Sequence, residues 1–162
     1  MRLFIALILN DEMKSALISM QYALRRAGIG GNYTKRENLH LTLAFIGEYG
    51  DPDKVLGVIR SLEPPQCEVR LDSFGSFDGI WWAGIAENAA LRQYASRLRR
   101  ALAGSGIPFD KKNFSPHITL LRKPDRPQMP PLSVRENVTS PVRVALMRSD
   151  RGKYGVIYTE IE

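Results

Sequence analysis

The sequence predicts an α+β fold with two similar lobes, each a mostly antiparallel sheet with flanking helices, in a single domain over residues 1–162. Short segments with apolar residues at every second position alternate with longer ones that have them at every third or fourth. This alternation indicates strands interspersed with helices. A helix followed by a histidine-bearing strand occurs twice, about half a chain apart, and this repetition predicts the two lobes.

Local signals place the elements of the first half. Residues 1–9 are apolar, lead directly into Asn-Asp-Glu without a small-residue cleavage site, and are far fewer than the ~20 residues of a membrane span, so they favour a buried strand over a signal peptide. A helix begins at Asn10 or Asp11, either of which can cap it, and ends near Gly28. An Asp-Pro pair at 51–52 begins a second helix.

Similar signals place the elements of the second half. Strands are predicted over about 67–74 and 80–86, joined by a Gly/Ser/Asp-rich turn, and Asn88 can cap a third helix. Four prolines then indicate a loop after the second histidine strand. Two last strands, about 142–147 and 156–161, flank a turn of hairpin type.

Composition narrows the functional classes. The net charge of +6 favours an anionic partner only weakly. Cys67 is the only cysteine, which excludes an intrachain disulfide and fits a reducing cytoplasm, so we expect a cytoplasmic protein without membrane contact. The third helix carries a basic cluster that we interpret as a solvated face rather than an RNA-binding stripe. Its members are Arg92, Arg97, Arg99 and Arg100.

The most informative feature is a pattern that both histidines open, His-Leu-Thr-Leu at 40–43 and His-Ile-Thr-Leu at 117–120. In a strand, residues i and i+2 face the same side, so each copy presents an imidazole beside a threonine hydroxyl. In the first strand, about 39–46, the predicted core face consists of Leu39, Leu41, Leu43 and Phe45. The opposite face consists of His40, Thr42, Ala44 and Ile46.

Two histidines, each beside a threonine, suit acid–base chemistry on a phosphodiester. Two histidines are too few for a zinc site, which needs at least three good ligands, and neither a serine-hydrolase elbow nor a phosphate-binding P-loop is present. An imidazole titrates near pH 6.5, so one of His40 and His117 can accept a proton while the other donates one. The hydroxyls of Thr42 and Thr119 can donate hydrogen bonds to phosphate oxygens. We expect no metal and no cofactor.

The two motifs and their flanks resemble the two-histidine (2H) phosphoesterase superfamily, and in particular its RNA 2′,3′-cyclic phosphodiesterase branch, formerly called 2′-5′ RNA ligases. The resemblance runs along nearly the whole chain. It includes Arg-Leu-Phe-Ile-Ala at 2–6, Asn-Leu-His at 38–40, Phe-Ile-Gly-Glu at 45–48, Phe-Ser-Pro-His at 114–117 and Ser-Asp-Arg-Gly-Lys-Tyr at 149–154.

The resemblance implies a pseudo-twofold axis, a central cleft lined by both motifs, and hydrolysis of a 2′,3′-cyclic phosphate to a 2′-phosphomonoester without a metal. On this basis we assign His117 as general base on water and His40 as general acid for the departing 3′ oxygen. Arg122 resembles the arginine that neutralises the phosphate in the family. The expected partners are RNA with 2′,3′-cyclic phosphate ends or cyclic nucleotides, and the protein is expected to be a monomer.

Several flanking residues carry less certain signals, and their alternatives stay open. Strand periodicity aims Arg122 away from the cleft unless the strand bulges or ends by Leu121; otherwise Arg122 is solvated. Phe114 is a candidate platform for base stacking, with core packing as the alternative. Trp81 and Trp82 alternate faces, so one belongs to the core and the other to the cleft edge. A basic group before the motifs could steer RNA phosphates or simply be solvated: Lys35, Arg36, Lys111 and Lys112.

Three other functions compete with cyclic phosphodiester hydrolysis. The same site could join RNA ends through a 2′-5′ linkage, although no motif for an energy-supplying cofactor is present. A non-catalytic module that binds RNA ends or nucleotides is a second alternative, but binding alone would not need two titrating groups. A small cyclic phosphate in place of RNA is the third.

Overall fold

The structure is a computed structural model that describes residues 1–162. Its helices are α1 (Asp11–Arg26), α2 (Pro52–Ser61) and α3 (Ala89–Gly104), with one 3₁₀ turn at Arg36–Asn38. Its strands are β1 (Arg2–Ile8), β2 (Asn32–Tyr33), β3 (His40–Glu48), β4 (Glu68–Phe77), β5 (Ile80–Ile85), β6 (His117–Arg122), β7 (Thr139–Pro141), β8 (Val144–Gly152) and β9 (Gly155–Ile161). None of the helices combines the length and the hydrophobicity needed to span a bilayer.

The helices begin where the sequence predicts them. The side chains of Asn10, Asp51 and Asn88 each accept a hydrogen bond from the backbone N–H three residues later, which satisfies one of the free donors at a helix start. Gly28, just after α1, has φ of +80°, a conformation that favours glycine. The strands β2 and β7, of two and three residues, were not predicted because segments this short show no periodicity.

The nine strands form two antiparallel sheets, which confirms the predicted α+β class. One sheet has the order β3-β1-β8-β9 and the other has the order β2-β6-β5-β4-β7. One core of 33 buried residues joins the sheets and the helices; it includes Ile5 of β1, Leu17 of α1, Leu98 of α3 and Ile118 of β6. The alternate residues Phe4 and Ala6 of β1 belong to a smaller apolar cluster on the opposite face of the four-stranded sheet.

The two sheets do not correspond to the two halves of the sequence. The four-stranded sheet takes β1 and β3 from the first half and β8 and β9 from the end of the chain, with β1 paired between β3 and β8. Helix α1 packs against β6 and β7 of the other sheet, although it lies between β1 and β3 in sequence. Each lobe therefore depends on segments that are distant in sequence.

Both histidine strands contain a β-bulge three residues after the histidine, and β3 contains a second one at Ile46. In β3 the register with β1 skips Leu43, and in β6 the register with β5 skips Leu120. Each skipped residue and its successor are both buried in the core. A bulge adds one residue to the strand and reverses the alternation beyond it, so the residue five positions after each histidine returns to the histidine face.

Candidate active site

The two histidine motifs line one cleft between the sheets. The cleft has a volume of ≈ 380 Å³, and β3 approaches β6 across it. The motifs contribute His40, Thr42, His117 and Thr119, and the strands β1, β8 and β9 contribute further walls. The four motif residues named from the sequence are thus brought together, although they come from different sheets.

The bulges decide which further side chains reach the cleft. Arg122 lines it, five residues after His117, because the bulge at Leu120 reverses the strand's alternation. Phe45, five residues after His40, lines it for the same reason. The predicted faces of the first strand are therefore wrong beyond Leu43. Phe45 faces the cleft, whereas Ala44 and Ile46 are buried in the core.

Both imidazoles are held by the same backbone contact. The Nδ1 atom of His40 lies 2.7 Å from the carbonyl oxygen of Asn38, and that of His117 lies 2.8 Å from the carbonyl oxygen of Ser115. A carbonyl only accepts hydrogen bonds, so Nδ1 carries the proton in each neutral ring and Nε2 is left with a free lone pair. Each histidine can therefore accept or donate a proton at Nε2.

The surroundings of the two Nε2 atoms differ. Nε2 of His40 lies 3.0 Å from Oγ1 of Thr42, and this hydroxyl donates to the neutral ring. Nε2 of His117 has no hydrogen-bond partner in the protein. Of the two Nε2 atoms, that of His117 is thus the one that no protein group occupies.

Aromatic rings fix the orientation of both imidazoles. His40 packs against Phe4 and Tyr158, with ring centroids 4.9 and 5.3 Å apart. His117 packs against Phe77 at 4.9 Å and Trp82 at 6.3 Å. The sequence indicated only a tryptophan at the cleft edge. The structure assigns Trp82 to that place and buries Trp81 in the core.

Glycine makes room for the tryptophan beside His117. Gly75 of β4 pairs with Trp82 of β5, and a Cβ atom at position 75 would lie 2.6 Å from two carbons of the indole. The indole thus occupies the space of a side chain at position 75. Any larger residue there would displace Trp82 from its contact with His117.

Burial lowers the pKa of His40 below its ordinary value because it disfavours the charged imidazolium. The hydrogen bond to the carbonyl of Asn38 acts in the opposite direction, and the positive charges of Arg122 and His117 lower the pKa further. The protein's own groups therefore favour the neutral ring. Protonating His40 costs folding free energy, so this contribution to stability is present above about pH 6.5 and is lost as the pH falls toward the lowered pKa.

We expect the His40 imidazole to titrate with a midpoint below about 6.5 in a phosphate-free NMR titration. Inorganic phosphate should raise the midpoint, because an anion in the cleft stabilises the imidazolium. The variant Arg122→Gln should raise it as well, since it removes a nearby positive charge. A midpoint at or above 6.5 in the free wild-type protein would contradict this account of the site.

The cleft has a strong positive character. Arg2, Arg122 and Arg151 all line it, and none of them has a carboxylate oxygen within the 4.0 Å of an ion pair. The one acidic side chain of the lining, Asp150, is instead paired with Arg148 at 3.0 Å. The guanidinium of Arg2 lies 4.9 Å from the ring centre of Phe45. Unpaired guanidinium groups at this density suit a ligand with phosphate oxygens.

Arg99 of α3 connects the two motif segments from behind the cleft. Its guanidinium donates to the carbonyl oxygen of Leu43 through Nε and Nη2, at 3.3 and 3.2 Å, and to the carbonyl oxygen of Lys112 through Nη1 at 2.6 Å. Leu43 is the residue skipped by the bulge of β3, and Lys112 precedes His117 by five residues. The interpretation of the basic cluster on this helix as solvated is therefore wrong for Arg99, which is half-buried.

Replacing Arg99 by alanine should lower the free energy of unfolding by about 1–3 kcal/mol, the cost of leaving a buried acceptor without its partner. Urea denaturation measures this change. Arg100→Ala is the matched control, since its side chain is exposed and bonds only to Ser96 of the same helix; it should change stability by less than about 0.5 kcal/mol. Equal effects of the two variants would exclude the bridging role of Arg99.

Phe114 lies outside the cleft. It is half-buried against the core, with the Arg99 guanidinium 5.7 Å from its ring centre, and lines an adjoining groove that shares Thr42, Phe45 and His117 with the cleft.

None of the four predicted steering cations lines the cleft. Lys35 donates to the carbonyl oxygen of Tyr154 at 2.8 Å. No group of three or more His, Cys, Asp and Glu side chains that could hold a metal ion is present.

Several cleft residues were missed by the sequence analysis. Phe4 reaches the cleft because β1 alternates, which the continuous apolar run conceals. Tyr158 and Arg151 reach it only because the hairpin of β8 and β9 pairs beside β1. That long-range pairing leaves no local pattern in the sequence.

The two sheets, the shared cleft and the paired Nδ1-anchored imidazoles define a phosphoesterase of the two-histidine class. A sequence profile described as the 2′-5′ RNA ligase superfamily matches residues 19–153. The chain belongs to this family, as the sequence analysis predicted.

Individual relatives agree with this assignment. An RNA 2′,3′-cyclic phosphodiesterase of Thermus thermophilus is 36% identical, with 100% of this chain and 88% of the relative covered. An enzyme of the same name from Thermotoga maritima is 30% identical over 91% of this chain and 83% of its own. The crystal structure of Escherichia coli LigT complexed with 3′-AMP superimposes with a TM-score of 0.83 at 28% identity, over 99% of this chain and 94% of the other.

Proposed function

We propose that this chain is an RNA 2′,3′-cyclic phosphodiesterase, which opens a 2′,3′-cyclic phosphate to a 2′-phosphomonoester. The observation that carries this proposal is the arrangement of two imidazoles, each with Nδ1 bonded to a carbonyl and Nε2 available for proton transfer, in one cleft with three unpaired guanidinium groups. The names of the relatives support the same activity. A module that only binds RNA ends would have no need for the second matched imidazole.

In the proposed reaction, His117 accepts a proton from a water molecule at Nε2, and the water oxygen attacks phosphorus. The bond from phosphorus to the 3′ oxygen breaks, and His40 donates its Nε2 proton to that oxygen. Thr42, Thr119 and Arg122 donate hydrogen bonds to the phosphate oxygens, whose charge grows as the new bond forms. Water and the two imidazoles supply and accept every proton that this step transfers.

The lowered pKa of His40 sets a condition on this assignment of roles. A general acid must carry its proton when the substrate is bound, whereas the protein's own groups favour the neutral His40. The negative charge of the bound phosphate therefore has to raise this pKa. The opposite assignment, with His40 as base, needs no such rise, so the direction of proton transfer remains a prediction.

The activity is tested by incubating the protein with a 2′,3′-cyclic nucleotide in the presence of EDTA and identifying the product. We expect a 2′-phosphate, formed at the same rate with and without the chelator. Absence of turnover would favour the binding module, and loss of activity with EDTA would contradict metal-independent hydrolysis. The cytoplasmic location and monomeric state remain predictions, and size-exclusion chromatography coupled to light scattering would test the second.

A further inference from the structure

The turn between β8 and β9 carries a concentration of exposed apolar side chains. Only five large hydrophobic residues of the chain are exposed, and three of them lie within residues 153–157, here called the hairpin tip. Tyr154 is 79% exposed, Ile157 54% and Val156 40%. Solvent exposure of an aromatic and two β-branched side chains at one turn is unfavourable unless they serve a contact.

The hairpin tip is continuous with the cleft. Val156 and Tyr158 share one face of β9 and both line the cleft, and Tyr158 packs against the ring of His40. Tyr154 lies at the turn, two residues beyond Val156. At a rise of roughly 3.4 Å per residue, the four residues from Tyr158 to Tyr154 extend roughly 14 Å. Tyr154 therefore stands next to the cleft wall and not within it.

The hairpin tip is also positively charged. Lys153 places its Nζ atom 5.5 Å from the ring centre of Tyr154, and Lys35 holds the backbone of the turn through the carbonyl oxygen of Tyr154. Arg151 pairs with Val156 at the turn end of the same hairpin and lines the cleft. None of these three cations is paired with a carboxylate. An exposed aromatic ring among free cations matches the bases and phosphates of a single-stranded nucleic acid.

We infer that the hairpin tip binds the single-stranded RNA that leads to the cyclic phosphate, with a base of an upstream nucleotide stacked on Tyr154. This inference rests on the proposed function and adds to it a surface, next to the cleft, for the nucleotides that precede the cyclic phosphate. Between Tyr154 and the cleft, the RNA contacts Val156 and the cations of the hairpin tip.

The test compares substrates of increasing length, from a 2′,3′-cyclic mononucleotide to oligoribonucleotides of two to six residues with the same end. Tyr154→Ala should leave the KM for the mononucleotide unchanged and raise the KM for the longer substrates roughly five- to ten-fold, in line with the loss of one stacked base. Tyr154→Phe should restore the wild-type KM, because stacking needs the ring and not the hydroxyl.

Tyr22→Ala is the matched control. Tyr22 is also an exposed tyrosine beside a cation, Arg25, but it lies on α1 and does not line the cleft. We expect no dependence of its effect on substrate length. In addition, KM for the oligonucleotides should rise more steeply with salt than KM for the mononucleotide, and Lys153→Ala should reduce this difference.

An equal effect of Tyr154→Ala on short and long substrates, or no effect on either, would overturn the inference. So would a change in oligomeric state without a change in the ratio of the two KM values, since the tip would then be a contact between copies of the chain. These outcomes are distinct from failure of the proposed function, in which the wild-type protein would not hydrolyse the mononucleotide.

Discussion

The variants His40→Ala and His117→Ala should each have a kcat/KM for a 2′,3′-cyclic nucleotide that is lower by a factor of about 10²–10⁴, the usual contribution of one positioned acid or base. The double variant should lose far less than the product of the two single losses, because the pair acts on one proton-transfer sequence and neither partner works fully without the other. Free imidazole should partly restore the single variants. The measurement is steady-state hydrolysis, with circular dichroism to show that the variants fold.

A phosphodiester with p-nitrophenolate as leaving group separates the two roles. This leaving group needs no proton, so the variant that lacks the general acid should recover much of its activity on this substrate, whereas the variant that lacks the base should not. Our assignment predicts recovery by His40→Ala. Recovery by His117→Ala would reverse the roles, and nearly full activity of either variant on the cyclic nucleotide would contradict the paired mechanism.

Replacing Arg122 by alanine should lower kcat/KM by about 10²–10³, as expected when one charged donor to a transition-state oxygen is removed. Arg122→Lys should recover part of the loss, since it keeps the charge but not the planar pair of donors. The limb of the kcat/KM profile that reports the titration of His40 should also move to higher pH, because the positive charge of Arg122 lowers the pKa of that imidazole.

Arg70→Ala serves as the control for Arg122. Arg70 is exposed on β4 of the same sheet, has no ion pair and does not line the cleft. Arg70→Ala therefore removes one positive charge, as Arg122→Ala does, but removes it outside the cleft. If the two alanine variants had the same small effect, Arg122 would be a solvated residue, the alternative that strand periodicity favoured.

The sequence was most informative where local rules decide the outcome. The caps at Asn10, Asp51 and Asn88 depend on contacts within a few residues, so the start of each helix was predicted within one residue. Alternation in a strand likewise predicted that each histidine stands beside its threonine, whereas the shared cleft was implied by the resemblance to the two-histidine phosphoesterases.

The faces of the histidine strands beyond their bulges depend on pairing with strands that are distant in sequence, so local patterns did not predict them. A bulge depends on the register with the neighbouring strand, and nothing in the apolar runs at 43–46 and 120–121 indicates where the register slips. This is why Phe45 was assigned to the core and why Arg122 stayed ambiguous. The contact of Arg99 with Leu43 also depends on long-range packing, since β3 is an edge strand of its sheet and Arg99 of α3 approaches its open side.

The central position of β1 between β3 and β8 has a consequence for when the site is completed during translation. A growing chain that has been translated as far as β6 already contains both histidines, but the strand that flanks β1 on its other side has not yet been made. Tyr158, which packs on His40, arrives later still. Competence for catalysis should therefore emerge abruptly once β8 and β9 have been synthesised, and not in proportion to the length of chain produced.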